Sequence, residues 1–113
     1  MKLLSTALLV AALALAQPPA PKNLKLLPAD DKLIPTMRSF TTALGVKCDY
    51  CHNVKDFSSD EKEEKGFARH MITMAKDING NFHDGKVHVT CYTCHRGATE
   101  PATAPTEATK AGQ

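Results

Sequence analysis

Two short patterns repeat in this chain with the same residue types in the same places: Cys48-Asp49-Tyr50-Cys51-His52 and Cys91-Tyr92-Thr93-Cys94-His95. Two cysteines three residues apart share one turn of helix. There both thiols can form thioethers with the two vinyl groups of a single haem, and the imidazole that follows lies under the iron as its proximal ligand. C-x-x-C-H is the attachment signature of c-type haem. Two copies predict two covalently attached haems, held by Cys48, Cys51, Cys91 and Cys94, with His52 and His95 on the metals.

Blander uses of four cysteines account for less. Three disulfide pairings are available to them, but none requires a histidine after each pair. A four-cysteine zinc site spaces its C-x-x-C pairs by roughly 15 to 20 residues, whereas 39 residues separate Cys51 from Cys91. A thioredoxin-like redox motif belongs in a βαβ context, and no alternation of strands and helices is visible here.

Haem also answers a shortage of core. The chain has 113 residues, no Trp, two Tyr and four Phe. A domain this small needs a staple of some kind, and two flat, largely apolar macrocycles supply one against which sparse helices can pack. Residues 1–16, MKLLSTALLVAALALA, have the charged start, short apolar run and A-x-A ending of a secretory signal peptide. The run is shorter than the about 20 residues of a membrane span. No cysteine stands near the cleavage site to carry a lipid, so the expected product is a soluble periplasmic or extracytoplasmic protein without a transmembrane anchor. Cleavage leaves 13 Lys and Arg against 12 Asp and Glu, and haem propionates make the sum negative, so the formal basic pI gives no reason to expect nucleic acid.

The rest of the chain reads as a helical frame for these motifs. Residues 17–29 are Pro-rich and form an extended arm. A first helix begins at Asp30 or Asp31 as N-cap and runs to Leu44, stopped by Gly45, with Leu33, Met37, Phe40 and Leu44 along one stripe. A second runs from about Ser59 to Ile78, with Ser58 and Glu61 as a capping box, Asn79-Gly80 as its stop and Phe67, Met71, Met74 and Ile78 as its stripe. Residues 98–113 contain no Val, Ile, Leu, Phe or Met and are expected to be a disordered tail. The fold class is all-α and largely irregular, residues 30–97 forming one dihaem domain of two helix-loop-CxxCH repeats packed on the cofactors.

The sixth coordination position decides what such irons can do. A haem ligated by His and Met has no open site for substrate, and the thioether raises its potential, as in electron carriers. Met37 is the only methionine of the first half after the signal peptide and the candidate distal ligand there. Met71 is the candidate for the second haem, with Met74 one turn away as rival, and His70, His83 and His88 as remaining donors. Tyr50 and Tyr92 are read as packing on a porphyrin edge, Arg96 as a partner for a propionate, and Lys47, Lys55 and Lys86 as a solvated face or docking patch.

MRSFTTALGVKCDYCH and MITMAKDINGNFHDGKVHVTCYTCHRG resemble the tetrahaem cytochrome subunit of photosynthetic reaction centres, over roughly residues 36–97. The resemblance implies a mostly helical, irregular fold and a methionine, on a helix preceding each C-x-x-C-H, as distal ligand of most haems. It implies that the first methionine of the paired pattern is the one used, hence Met37 and Met71, and that the partner is an oxidised pigment. This chain has two motifs where that family has four, and no lipid-anchor cysteine. The expected function is one-electron carriage between periplasmic redox partner proteins. A subunit of a larger multihaem assembly is the alternative, followed by a dihaem peroxidase or reductase.

Overall fold

The computed structural model describes residues 19–112. The expected signal peptide, residues 1–16, lies outside them. The described chain is helical and irregular, with an isolated bridge between Asn53 and Asp56 as its sole strand-like pairing. Four α-helices follow in order: α1, Leu33–Leu44; α2, Glu63–Gly80; α3, Cys91–His95; and α4, Glu107–Lys110. A 3-10 turn, Cys48–Tyr50, lies between α1 and α2.

Both long helices start later than their capping residues suggest. Asp30 does not cap α1; its carboxylate accepts the Lys32 backbone N–H at 2.9 Å, forming a turn before the helix, and Lys32 is the flanking residue. A short acidic side chain bonding its own backbone two residues on competes with helix in this way. Ser58 and Glu61 likewise form no capping box. The Ser58 hydroxyl goes to Asp56 at 2.5 Å, and Ser59 Oγ accepts the Glu61 N–H at 3.2 Å. The polar run thus forms a turn over 56–61, and α2 begins at Glu63. At its other end α2 passes through Asn79-Gly80 and stops at Asn81.

Gly45 ends α1 in the left-handed conformation, φ 67°, where a side chain is costly. Its N–H, and that of Val46, turn back to the Thr41 carbonyl. The Ala43 carbonyl, another orphan of the last turn, accepts the N–H of Gly97 at 2.8 Å. The end of α1 is therefore completed from beyond α3, and α3 packs against both α1 and α2.

Little apolar surface is covered by protein. Leu33 and Ala43 are the only buried hydrophobic residues among those described, and no side chain is fully buried. The stripe of α2 shows the consequence, with Phe67 64%, Met74 43% and Met71 38% exposed. Residues 98–112, within the stretch expected to be disordered, include the short helix α4, where Lys110 pairs with Glu107 at 2.9 Å.

Candidate cofactor site

Each cysteine pair sits on a single helical turn. In the first motif the Tyr50 N–H bonds the Lys47 carbonyl at 3.1 Å and the His52 N–H bonds the Cys48 carbonyl at 3.0 Å. In the second, Thr93 Oγ1 accepts the Thr90 N–H at 2.9 Å while the Thr93 N–H returns to the Thr90 carbonyl at 3.1 Å. This starts α3 at Cys91. Arg96 ends it with φ 52°, its N–H bonding the Tyr92 carbonyl. All four thiols are free. Burial pushes the Cys51 thiol above its ordinary value, the nearby Glu64 carboxylate adding to this and Lys62 opposing it; burial also raises Cys91.

The histidines are held alike. His52 Nδ1 lies 3.0 Å from the Phe57 carbonyl and His95 Nδ1 2.9 Å from the Ala98 carbonyl. A carbonyl only accepts, so in each ring Nδ1 carries the proton and donates it, leaving the Nε2 lone pair for a metal. The His52 ring also leans on Phe57, with centroids 5.2 Å apart.

Both motifs open on one cavity of about 890 Å³. Cys48, Cys51 and His52 line it from the first motif, and Cys91, Cys94 and His95 from the second. Met37 on α1 and Met71 and Met74 on α2 line it too. The remaining wall is mainly aliphatic and aromatic, including Phe40, Leu44, Tyr50 and Phe67. Its volume is at the upper end for a small-molecule site. Lys22, Lys25, Arg38, Lys47, Lys65 and Arg69 border it, against the two carboxylates of Glu64 and Glu100. Paired thiols, metal-ready imidazoles, thioethers, apolar walls and a cationic rim form a donor set suited to covalent haem and its propionates. Among the described residues no three His, Cys, Asp or Glu side chains converge as they would around a zinc ion.

The other sequence candidates lie elsewhere. His70, His83 and His88 do not line the cavity. His88 is engaged by Asp84 at 2.8 Å and stacked on Phe82 at 3.8 Å, and the Asp84 carboxyl is held below its usual range by the Lys86 N–H and by His88. Arg96 and Tyr92 are likewise outside the cavity wall, but Arg96 lines an adjoining pocket of about 660 Å³ together with Cys94 and His95.

Three features were not apparent in the sequence. Leu24, Leu26 and Leu27 of the arm belong to the cavity wall, and polar contacts strap them to α2. Asn23 Nδ2 donates to the Ser58 carbonyl at 2.8 Å, Arg69 to the Asn23 carbonyl at 3.2 Å and Lys76 to the Leu26 carbonyl at 3.0 Å. Asp60 anchors the strap, meeting Lys65 at 3.1 Å, Arg69 at 3.0 Å and Lys25 at 3.7 Å. Hydrogen bonds from Asn23, Lys65 and Arg69 hold its carboxyl well below the usual carboxylate range. Asn79 of α2 clamps the segment entering the second motif, its Oδ1 accepting the N–H groups of His88 at 2.7 Å and Val89 at 2.9 Å while its Nδ2 donates to the Val89 carbonyl at 2.9 Å. Among the described residues no helix is long and apolar enough to cross a membrane.

Comparison with known proteins places the chain in a cytochrome family. Residues 19–112 match the family described as photosynthetic reaction centre cytochrome c subunit. The chain is 44% identical over 62 residues to cytochrome c-554 of Chloroflexus aurantiacus, covering 50% of this chain and 15% of that protein. It is 34% identical over 88 residues to the photosynthetic reaction center cytochrome c subunit of Rubrivivax gelatinosus, covering 63% of this chain and 24% of the relative. The corresponding subunit of Thermochromatium tepidum is 37% identical over 70 residues, 58% of this chain and 17% of its own length. The chain thus spans less than a quarter of these relatives.

Proposed function

We propose that this chain, which belongs to the photosynthetic reaction centre cytochrome c subunit family, is an exported dihaem cytochrome that carries single electrons between periplasmic redox partners. The observation that carries the proposal is the single cavity on which both cysteine pairs, both following histidines and three methionines converge, in a chain with two buried hydrophobic residues among those described.

Bound haem supplies a one-electron iron couple. The chain's own part is attachment, ligation and screening. Cys48 with Cys51, and Cys91 with Cys94, hold one macrocycle each. His52 and His95 present Nε2 to the irons, kept in that tautomer by the Phe57 and Ala98 carbonyls. Met37 of α1 and Met71 of α2, both lining the cavity, are assigned as distal ligands to the first and second irons, Met71 rather than Met74 because the family resemblance implies the first methionine of the pair. Residues 1–16 are assigned as a cleaved signal, residues 30–97 as the haem domain. The fixed ligands leave no iron position for substrate, so no catalytic residue is assigned.

A second reading is favoured by the relatives themselves, two of which are named subunits: the chain works within a larger multihaem or reaction-centre-type assembly. One preparation separates these readings. Alkaline pyridine treatment of haem-matured protein should give two c-type haems per chain, and the oxidised spectrum should be low-spin throughout with the far-red band of Met-ligated ferric haem. A high-spin fraction, with carbon monoxide uptake on reduction, would replace carriage by an open-iron peroxidase or reductase. Sedimentation as a monomer supports the carrier, and co-sedimentation with other haem proteins the assembly.

A further inference from the structure

Besides the Phe57 ring that leans on His52, the two ligand histidines differ in what else their carbonyl partners accept. His52 donates to the Phe57 carbonyl and His95 to the Ala98 carbonyl, at 3.0 and 2.9 Å. The Phe57 carbonyl also accepts Lys65 Nζ at 3.0 Å, whereas among the described residues the Ala98 carbonyl accepts from His95 alone. Lys65 is well placed to exert a lasting effect. Its side chain is only 11% exposed, donates to the Ser59 carbonyl at 2.8 Å and is held by Asp60 at 3.1 Å.

We propose that Lys65 tunes His52 through this shared carbonyl, making the iron at His52 more readily reduced than it would be without that contact. The inference rests on the dihaem reading above. A proximal imidazole that donates strongly from Nδ1 gains imidazolate character, and a more electron-rich ligand favours the ferric state. An ammonium on the same oxygen draws its electron density, so His52 donates less strongly than His95 does. The positive charge beside the site favours the ferrous state as well, and both effects have the same sign. The Asp60 carboxylate moderates the field of Lys65 from the solvent side without touching the carbonyl. Around the second motif Arg96 and Glu100 line one pocket with His95, and neither is bonded to the Ala98 carbonyl.

The test uses the holoprotein in a redox titration followed optically, with proton and nitrogen NMR of the fully reduced form. There each imidazole Nδ1–H is assigned by its proximity to Phe57 or Ala98. Lys65→Met should lower the midpoint of the His52 haem and move its Nδ1–H resonance downfield, with the His95 midpoint and resonance in place. Lys65→Arg, which keeps a cation at the carbonyl, should restore most of the His52 midpoint. Lys76→Met removes a strap cation that donates to the Leu26 carbonyl and does not line the cavity, and should shift neither haem selectively. Two haems whose midpoints fall together in Lys65→Met, or a His52 resonance unmoved by it, would overturn the inference while leaving the dihaem reading intact. A wild-type protein carrying one haem would overturn both.

Discussion

Gly45 and Gly97, on either side of both cysteine pairs, meet so closely that a Cβ on Gly45 would stand 2.2 Å from the Gly97 carbonyl oxygen. Both have positive φ, 67° and 86°, and the Gly97 N–H completes the end of α1 at Ala43. Gly45→Ala adds a left-handed alanine to a backbone clash, and these together should cost more than about 2 kcal/mol. Calorimetry should show a Tm lower by about 10 °C or more. Gly66→Ala, inside α2 with nothing within 4 Å of the new methyl, should instead stabilise by about 0.5 to 1 kcal/mol.

Asn79→Ala removes three hydrogen bonds to the segment entering the second motif. The part-buried Val89 backbone would be left unsatisfied, at a cost of about 2 to 4 kcal/mol. Hydrogen exchange should accelerate at the Val89 amide well before it does in α1. Equal acceleration in both places would mean that Asn79 supports the whole fold rather than this entry.

The strap over α2 should loosen in acid. Asp60 has a folded-state pKa depressed below its unfolded value, so its contribution is fully present above the ordinary aspartate range and is lost as pH falls through and below it. The Asp60 carboxylate is exposed, and salt should weaken its ion pairs too. Proteolysis between Lys22 and Leu27 should therefore quicken on acidification, and Asp60→Asn should show the quick rate already at neutral pH. A cleavage rate independent of both would detach Asp60 from the strap.

Met37→Ala and Met71→Ala should each turn one haem high-spin, read by electron paramagnetic resonance, with the other low-spin. Met74 also lines the cavity, so Met74→Ala is the informative companion. It should leave both haems low-spin, and a high-spin signal from it instead of from Met71→Ala would transfer the ligand assignment by one turn.

Legibility from sequence followed the range of each interaction. The cysteine pairs, their histidines and the helical stripes depend on spacing within a few residues, and the family and all-helical class followed from them. Helix starts were read too early, because Asp30, Ser58 and Ser59 spend their side chains on turns that a cap pattern does not distinguish. In the sequence Lys65 is one charge among several in the run EKEEKGFARH. What sets it apart is a carbonyl eight residues earlier in a loop, and no periodicity encodes which way that loop turns. The strap was equally hidden, since Asn23 and Arg69 meet across 46 positions.

The Ala43–Gly97 hydrogen bond joins residues on opposite sides of both cysteine pairs. The last turn of α1 thus lacks its partner until the ribosome has delivered nearly all of the haem-binding segment. The two halves of the chain are therefore coupled through that bond, and denaturant should melt them in a single transition.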